Sequence, residues 1–428
     1  MIKRSNTVFD YTQFQKKSIL CVDMKSFYAS IIAVTEGLDP LSCHLAVVGN
    51  TDQKGSVVLA ASPAMKKDFN IKTGSRLFEI PEDPRIKIRN PKMGLFVRMS
   101  TEITKLFFRY VPPIAVHTYS VDESFLDVSG LEKVWGTPEE IALYIQKDIM
   151  RDFGLPSTIG IGPNMLMAKL CLDLEAKKAK GGIATWTYED IQEKLWSVSP
   201  LREMWGIGRR VEKTLNSMGI FSVGQLARYD LGLLEKKFGV MGNQLYHHAW
   251  GIDLSEIGAP IMQGQISYGK SQILLRDYKE LNEIKSVILE MCEEVARRAR
   301  NKHHAARTIS LGLSYSKEEF GGGFHRSRTI EKPTNVTMDI YRVCLELFSE
   351  NYRGQTVRQI SIAITKLEKD YEMQLDLFDT NGWKKRKIGY IVDKIRYRHG
   401  PTALLRAVSY TPGGTALKRA QLLGGHKK

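Results

Sequence analysis

What this 428-residue chain lacks narrows its class before any motif is read. No stretch approaches the roughly 20 uninterrupted apolar residues of a membrane-spanning helix. The opening MIKRSNTVFDYTQF has no apolar core of the secretory-signal kind, so neither a membrane nor an export route is expected. Cysteines are few: Cys21, Cys43, Cys171, Cys292 and Cys344 are scattered, with no pair at CxxC or metal-ligand spacing. That speaks against structural zinc or a disulfide framework and suits a reducing cytoplasm. The nine histidines form no cluster that would favour a softer metal.

What is present is positive charge. Lys and Arg number 62 against 47 acids, a formal +15, which implies a polyanionic partner. Between Trp383 and Lys428 twelve basic residues face one acid, Asp393; a second cluster comprises Arg297, Arg298, Arg300, Lys302 and Arg307. Either run alone could be a solvated face, but together with the global excess they favour nucleic acid. With 43% hydrophobic residues the chain is globular and long enough for several cores.

Along the chain, Ser18–Val22 reads as a strand ending in Asp23, followed by helical spacing at Phe27, Ile31 and Val34. Val57–Ala61 reads as a second strand leading into the basic segment Lys66–Lys72. Tyr119–Val128 reads as a hairpin with Asp122 and Glu123 at its turn, and Leu131–Phe153 as one helix. LEAKKAKGG resembles a linker, and short helices divided by glycines follow to about Gly251. Beyond a second boundary between Gly258 and Gly269 come strand Ser267–Leu275, helix Leu281–Lys302, strand Thr308–Ser314, helix Val336–Tyr352 and strand Ile360–Lys366. This is an α+β pattern, with Gly321–Gly323 as a hairpin tip.

An Asp at a strand end, such as Asp23, can simply cap the next helix. Asp122-Glu123 is harder to dismiss: adjacent acids among apolar strand residues (YSV before, SFLDV after) suffer repulsion and desolvation that something positive must offset. A surface turn is the plain alternative. Two-metal phosphoryl transfer requires such carboxylates converging from neighbouring strands, and all-oxygen ligation suits magnesium.

SILCVDMKSFYASI and YSVDESFLDVSG, with their aspartates 99 residues apart, resemble the two catalytic motifs of the Y-family (DinB/UmuC-type) translesion DNA polymerases. The resemblance continues through IGIGPNMLMAKLCLDLEAKK and GIGRR, spans roughly Ser18–Leu367, and is nearest to the UmuC-like members of Gram-positive bacteria. It implies a multidomain α+β right-hand polymerase: a ferredoxin-like palm (1–34 and 92–176), small fingers (35–91), a helical thumb with a helix-hairpin-helix (177–257) and an α+β little finger (258–367). A clamp-binding motif and basic tail (368–428) would follow. It further implies two Mg2+ ions held by Asp23, Asp122 and Glu123 with the Met24 carbonyl. Tyr28 would be the steric gate against the 2′-hydroxyl, and Lys169 a ligand of the triphosphate; Phe27, Ser62 and Lys66 join the nucleotide site. In AASPAMKKDFNIKTG the chain departs from the pattern, since Ser62-Pro63 stands where many relatives show Asn-Tyr and Asp68 resembles an insertion; Lys67 is an alternative to Lys66. Core packing is the plain reading of Phe27 and Tyr28, and exposure that of the lysines.

Gly206, Gly208, Arg209 and Arg210 resemble a hairpin whose backbone amides contact a DNA phosphate without reading sequence. The basic helix and strands of the little finger would grip the duplex. Gln374-Leu375-Asp376-Leu377-Phe378 resembles the QLxLF motif for the sliding clamp (the β subunit), with Leu377 and Phe378 filling an apolar cleft; an amphipathic strand is the alternative. Expected partners are therefore primer-template DNA, deoxynucleoside triphosphates, the clamp and accessory proteins of the SOS damage response. The rival reading is a non-catalytic DNA-binding adaptor at the clamp, which would have no need of the three acids.

Overall fold

β1 (Ile19–Met24) is covered on both faces, and that burial explains the apolar run Ile19–Val22 that precedes Asp23. In the computed structural model, which describes residues 9–14, 16–259, 267–316, 321–370 and 382–427, the chain forms two compact units. These are Met1–Pro260 with His426–Lys428, and Ile261–Gly425.

In the first unit β1 leads into α1 (Phe27–Thr35), β2 (Leu45–Val48), β3 (Val58–Ala61) and α2 (Pro63–Phe69). β4 (Lys87–Arg89), α3 (Met93–Phe107), β5 (Val116–Thr118) and β6 (Glu123–Asp127) follow. Then come α4 (Glu132–Trp135), α5 (Pro138–Phe153), β7 (Ser157–Gly162), α6 (Met165–Cys171) and β8 (Ile183–Thr185). The central sheet has the order β5-β6-β1-β7-β8, with β1 antiparallel to both neighbours. The α+β palm expected from sequence is thus in place. The fingers are a small sheet, β3-β2-β4, with α2 against it.

Strand alternation sorts the side chains of this sheet. Leu20, Val22 and Met24 point with Ile159 and Ile161 into the main core beneath α1, α3 and α5. Ile19 and Cys21 point with Phe125 to the other face, where Ala168 and Leu172 cover them; by period, Asp23 and Glu123 belong to this second face. α6 lies so close here that a Cβ on Gly160 would run into the Ala168 carbonyl, and one on Gly162 into the Ala168 amide.

The single helix expected over Leu131–Phe153 is two. Gly136 takes φ +86°, and Thr137 caps α5 in a reciprocal box with Glu140, with Pro138 at the first turn. The expected linker LEAKKAKGG begins as a continuation of α6, a π-helical turn over Leu172–Ala176. The thumb follows as α7 (Arg209–Ser217), α8 (Val223–Ala227), α9 (Leu231–Phe238) and α10 (Val240–Ala249), packed around Leu215, Leu226, Leu234 and Trp250.

The second unit runs β9 (Ser267–Tyr278), α11 (Leu281–Asn301), β10 (His304–Tyr315), β11 (Gly323–Thr334), α12 (Thr337–Asn351) and β12 (Val357–Lys369). The sheet order is β11-β10-β12-β9, and α11 and α12 bury Ile284, Ile288, Val295 and Leu347 against it. β11 escaped the sequence reading because it is an exposed, polar edge strand, HRSRTIEKP, without the alternation of a half-buried one.

The basic C-terminal stretch is no free tail. α13 (Gly382–His399) and α14 (Ala416–Ala420) belong to this unit. Asp393 receives both Nε and an Nη of Arg300, at 2.7 and 3.0 Å, and Arg300 is 2% exposed. Glu290, also buried, accepts from the Thr415 amide and hydroxyl. Arg396 and Arg406 both pair with Glu293. In the second basic cluster Arg297 and Arg298 pair with Glu294 and Arg307 with Glu368 at the surface. These three arginines stay more than a third exposed, so their surface pairs are weak and leave them open to a phosphate. The clamp-type residues Gln374, Leu375, Leu377 and Phe378 lie outside the described residues. Among the described residues no helix is long and apolar enough to cross a membrane.

Removing one member of a buried ion pair strands the other, at a cost of about 3–5 kcal/mol. Asp393→Ala is therefore expected to speed limited tryptic cleavage within α13 by roughly 100-fold or more, because cleavage follows the population of the opened form. Cleavage at the wild-type rate would show that the Arg300–Asp393 pair does not hold this helix.

Candidate active site

Asp23 ends β1 opposite Glu123 of β6 on one side and Thr158 of β7 on the other. The Met24 amide donates to the Asp122 carbonyl at 3.0 Å, which pins the hairpin turn beside the strand end. Asp122 and Glu123 thus arrive by a short loop that Ser120 tightens, its hydroxyl donating to the Asp122 carboxylate at 2.6 Å. Burial pushes the Asp23 carboxyl up to about 6; Lys177 opposes the shift, and the neighbouring Asp122 and Glu123 add to it.

Glu123 is engaged differently. Its carboxylate receives the Lys169 ammonium at 2.8 Å and the Cys21 thiol at 3.1 Å, all three groups being buried. Burial works against the Lys169 charge, but the hydrogen bond and negative charge of Glu123 outweigh it and hold the ammonium above its ordinary range. The Cys21 thiol is pushed well up by burial and by the same carboxylate. Lys169 also meets Asp173 at 3.0 Å, and Lys177 bridges Asp173 at 2.7 Å and Asp23 at 3.6 Å. Asp173, Lys177, Cys21 and Ser120 were not singled out from sequence. The i, i+4 spacing of Lys169, Asp173 and Lys177 was the signal available for two of them.

Of the expected nucleotide contacts, Tyr28 stands half-buried beside the acids, its ring stacked on Phe96 at 4.3 Å and 14°. Burial raises its phenol, with a further contribution from Asp122. Lys66 reaches over from α2 to the Ser26 hydroxyl at 2.8 Å. Two expectations fail. Phe27 is 3% exposed in the palm core. Ser62 is fully buried as the N-cap of α2: its hydroxyl donates to the Cys43 carbonyl and accepts from the Leu45 and Met65 amides. Its hydroxyl is therefore engaged within the fingers and not presented to the site.

The donor set facing the solvent is all oxygen. Among the described residues no three side chains close on one point as a ready-made metal cage, because Glu123 is turned to Lys169. Asp23 and Asp122 do fit a hard divalent cation that keeps other oxygen ligands; burial, with Asp122 and Glu123 nearby, holds the Asp23 carboxyl up, and a cation there would oppose both effects. Farther along, Gly206 takes φ +92° and Gly208 caps α7. Gly206, Gly208, Arg209 and Arg210 are all exposed. A hollow of about 530 Å³ lies between this hairpin, Tyr119 and Asp173.

Comparison with known proteins identifies relatives along most of the chain. Residues 22–173 match the impB/mucB/samB family, residues 188–220 its helix-hairpin-helix motif and residues 265–377 its C-terminal domain. The chain is 66% identical over 98% of its length to the whole of the Bacillus subtilis protein UvrX, named for UV-damage repair. It is 39% identical over 97% of its length to the whole of DNA polymerase IV 2 of the same organism. A chimeric Y-family DNA polymerase shares the fold at a TM-score of 0.63 with 19% identity, over 82% of this chain and 99% of that one. The chain belongs to the impB/mucB/samB family and is a DNA-directed DNA polymerase of the Y family.

Proposed function

We propose that the protein copies damaged DNA by two-metal nucleotidyl transfer at Asp23, Asp122 and Glu123. The observation that carries this reading is the convergence of these acids at the end of one buried strand, with lysines and Tyr28 around them. Two magnesium ions held by Asp23, Asp122 and the Met24 carbonyl, with Glu123 completing the set, would acidify the primer hydroxyl and neutralise the triphosphate and the departing pyrophosphate.

The chain's own groups do the rest. Lys169 now holds Glu123; an incoming triphosphate offers it a second anion, so nucleotide arrival releases Glu123 to the site. Lys66, on the fingers, contributes a further cation from the opposite side. Tyr28, braced by Phe96, presents a fixed ring beneath the sugar and excludes a 2′-hydroxyl. Gly206, Gly208, Arg209 and Arg210 hold a DNA phosphate through exposed backbone and guanidinium groups. Gln374, Leu375, Leu377 and Phe378 dock the sliding clamp, and accessory damage-response proteins complete the partner set. A small three-stranded fingers sheet leaves little to check the template base, which suits synthesis across lesions at low fidelity.

Primer extension on undamaged and abasic templates tests this reading. Asp122→Ala is expected to lower extension by roughly 10³-fold or more, the loss of several kcal/mol of charge stabilisation. Extension by that variant at the wild-type rate would remove the acids from the chemistry. Tyr28→Ala is expected to raise ribonucleotide insertion relative to deoxynucleotide by roughly 10- to 200-fold, the range one small group commands in a pocket; an unchanged ratio would deny the ring its gating role. Since Asp23 has its carboxyl raised to about 6 in the free protein, it is ionised above that pH and neutral below it. Divalent-cation binding by the free protein should therefore weaken as pH drops through 6, approaching tenfold per pH unit below it, because proton and cation compete for this carboxylate. A flat profile between pH 7 and 5 would contradict it.

A further inference from the structure

Both oxygens of Glu123 are taken, and by donors of different kinds. Oε1 accepts from the Cys21 thiol at 3.1 Å and Oε2 from the Lys169 ammonium at 2.8 Å. The sheet register explains the first contact. Glu123 is the cross-strand partner of Asp23, and Phe125 that of Cys21, so Cys21 is the diagonal neighbour of Glu123 on the same face. On its other side Cys21 lies opposite Gly160, where α6 rather than a side chain of β7 fills the space.

The two donors differ in what they can do next. Lys169 already meets a second carboxylate, Asp173, at 3.0 Å, and its ammonium stands on a flexible stem that can swing. Cys21 is fully buried among Ile19, Phe125, Ala168 and Leu172, whose side chains offer no rival acceptor. Burial and the Glu123 charge push its thiol well up, so the sulfur keeps its proton and stays a donor. Among the described residues it is the one donor on Oε1, and leaving a buried carboxylate oxygen bare costs more than such a weak bond contributes. Glu123 therefore gives up Lys169 more readily than Cys21, and the oxygen it can turn to the site is Oε2.

One available oxygen instead of two bears on the choice of cation. Magnesium demands a near-ideal octahedral shell, which the narrow bite of a bidentate carboxylate distorts. Calcium takes more oxygens in a flexible shell, bidentate carboxylates among them. A glutamate with Oε1 fastened to its strand neighbour suits the first ion and handicaps the second.

We propose that Cys21 is a positioning residue of the active site, whose thiol fastens Oε1 of Glu123, limits that acid to one oxygen toward a divalent cation, and so favours magnesium over calcium. The proposal rests on the two-metal reading above. The alternative is that Cys21 merely fills space between β1 and α6.

The test uses the full chain on a primer-template whose primer ends in a dideoxynucleotide. Equilibrium binding of the matching deoxynucleoside triphosphate is then measured without chemistry, once with magnesium and once with calcium. Cys21→Ala is expected to shift the ratio of the two affinities toward calcium by roughly 3- to 10-fold, the value of one hydrogen bond. Cys21→Val, which fills the volume without a donor, should match it. Cys21→Ser should return the ratio to the wild-type value, because a hydroxyl donates in the thiol's place. An unchanged ratio in Cys21→Ala and Cys21→Val, with or without a lowered melting temperature, overturns the proposal, and so does a Cys21→Ser variant that behaves like them. A wild-type protein that binds DNA but no triphosphate with either cation would overturn the two-metal reading, and this proposal with it.

Discussion

Placing carboxylates at the end of a strand that is buried on both faces is the constraint from which the rest of this molecule follows. Asp23 and Glu123 share a face of the palm sheet because strand alternation puts them there with Cys21 and Phe125. That face has to be covered, or the strand would not be buried, and it has to be charged, or the acids would not ionise. α6 satisfies both demands at once. Ala168 and Leu172 close the apolar part, while Lys169 meets Glu123. The close approach is possible only because β7 presents Gly160 and Gly162 beneath the helix. Catalytic geometry and core packing are thus set by the same contact.

Much of this was legible in the sequence, for identifiable reasons. The two acidic motifs could be read because charged residues in apolar strands violate the local pattern, and such violations mark sites. The α+β order of the second unit was legible from helix and strand periodicity. Less visible was anything decided by partners distant in the chain. Ser62 resembled a site residue by position, yet its hydroxyl is drawn to Cys43 and Leu45 on the neighbouring strand side. Phe27 and Tyr28 are adjacent and alike in type; the helix alone decides that one faces the core and the other the acids. The break before α5 was written in Gly136-Thr137-Pro138-Glu139-Glu140, but the apolar stripe across it concealed the cap.

Charge gave a second lesson. The excess of basic residues correctly indicated a polyanion, but it did not say which lysines and arginines are free to bind one. Arg300 and Arg396 are drawn inward by Asp393 and Glu293, so the C-terminal segment is held on the little finger by charge more than by apolar burial. Exposed cations such as Arg209 and Arg210 come from a segment with no conspicuous charge run. Net charge describes the long-range field of a molecule, and contact depends on which pairs have already closed.

The π-helical turn after α6 gives the active site an unusual kind of fragility. Such a turn accommodates one residue more than an α-helical turn would. Losing a single residue between Leu172 and Ala176 would leave seven α-helical steps from Lys169 to the lysine now at 177, about 20° short of two full turns, so that lysine would keep its face. Gaining a residue would add about 100° and carry it away from Asp23. The wide turn thus absorbs a change of chain length in one direction only.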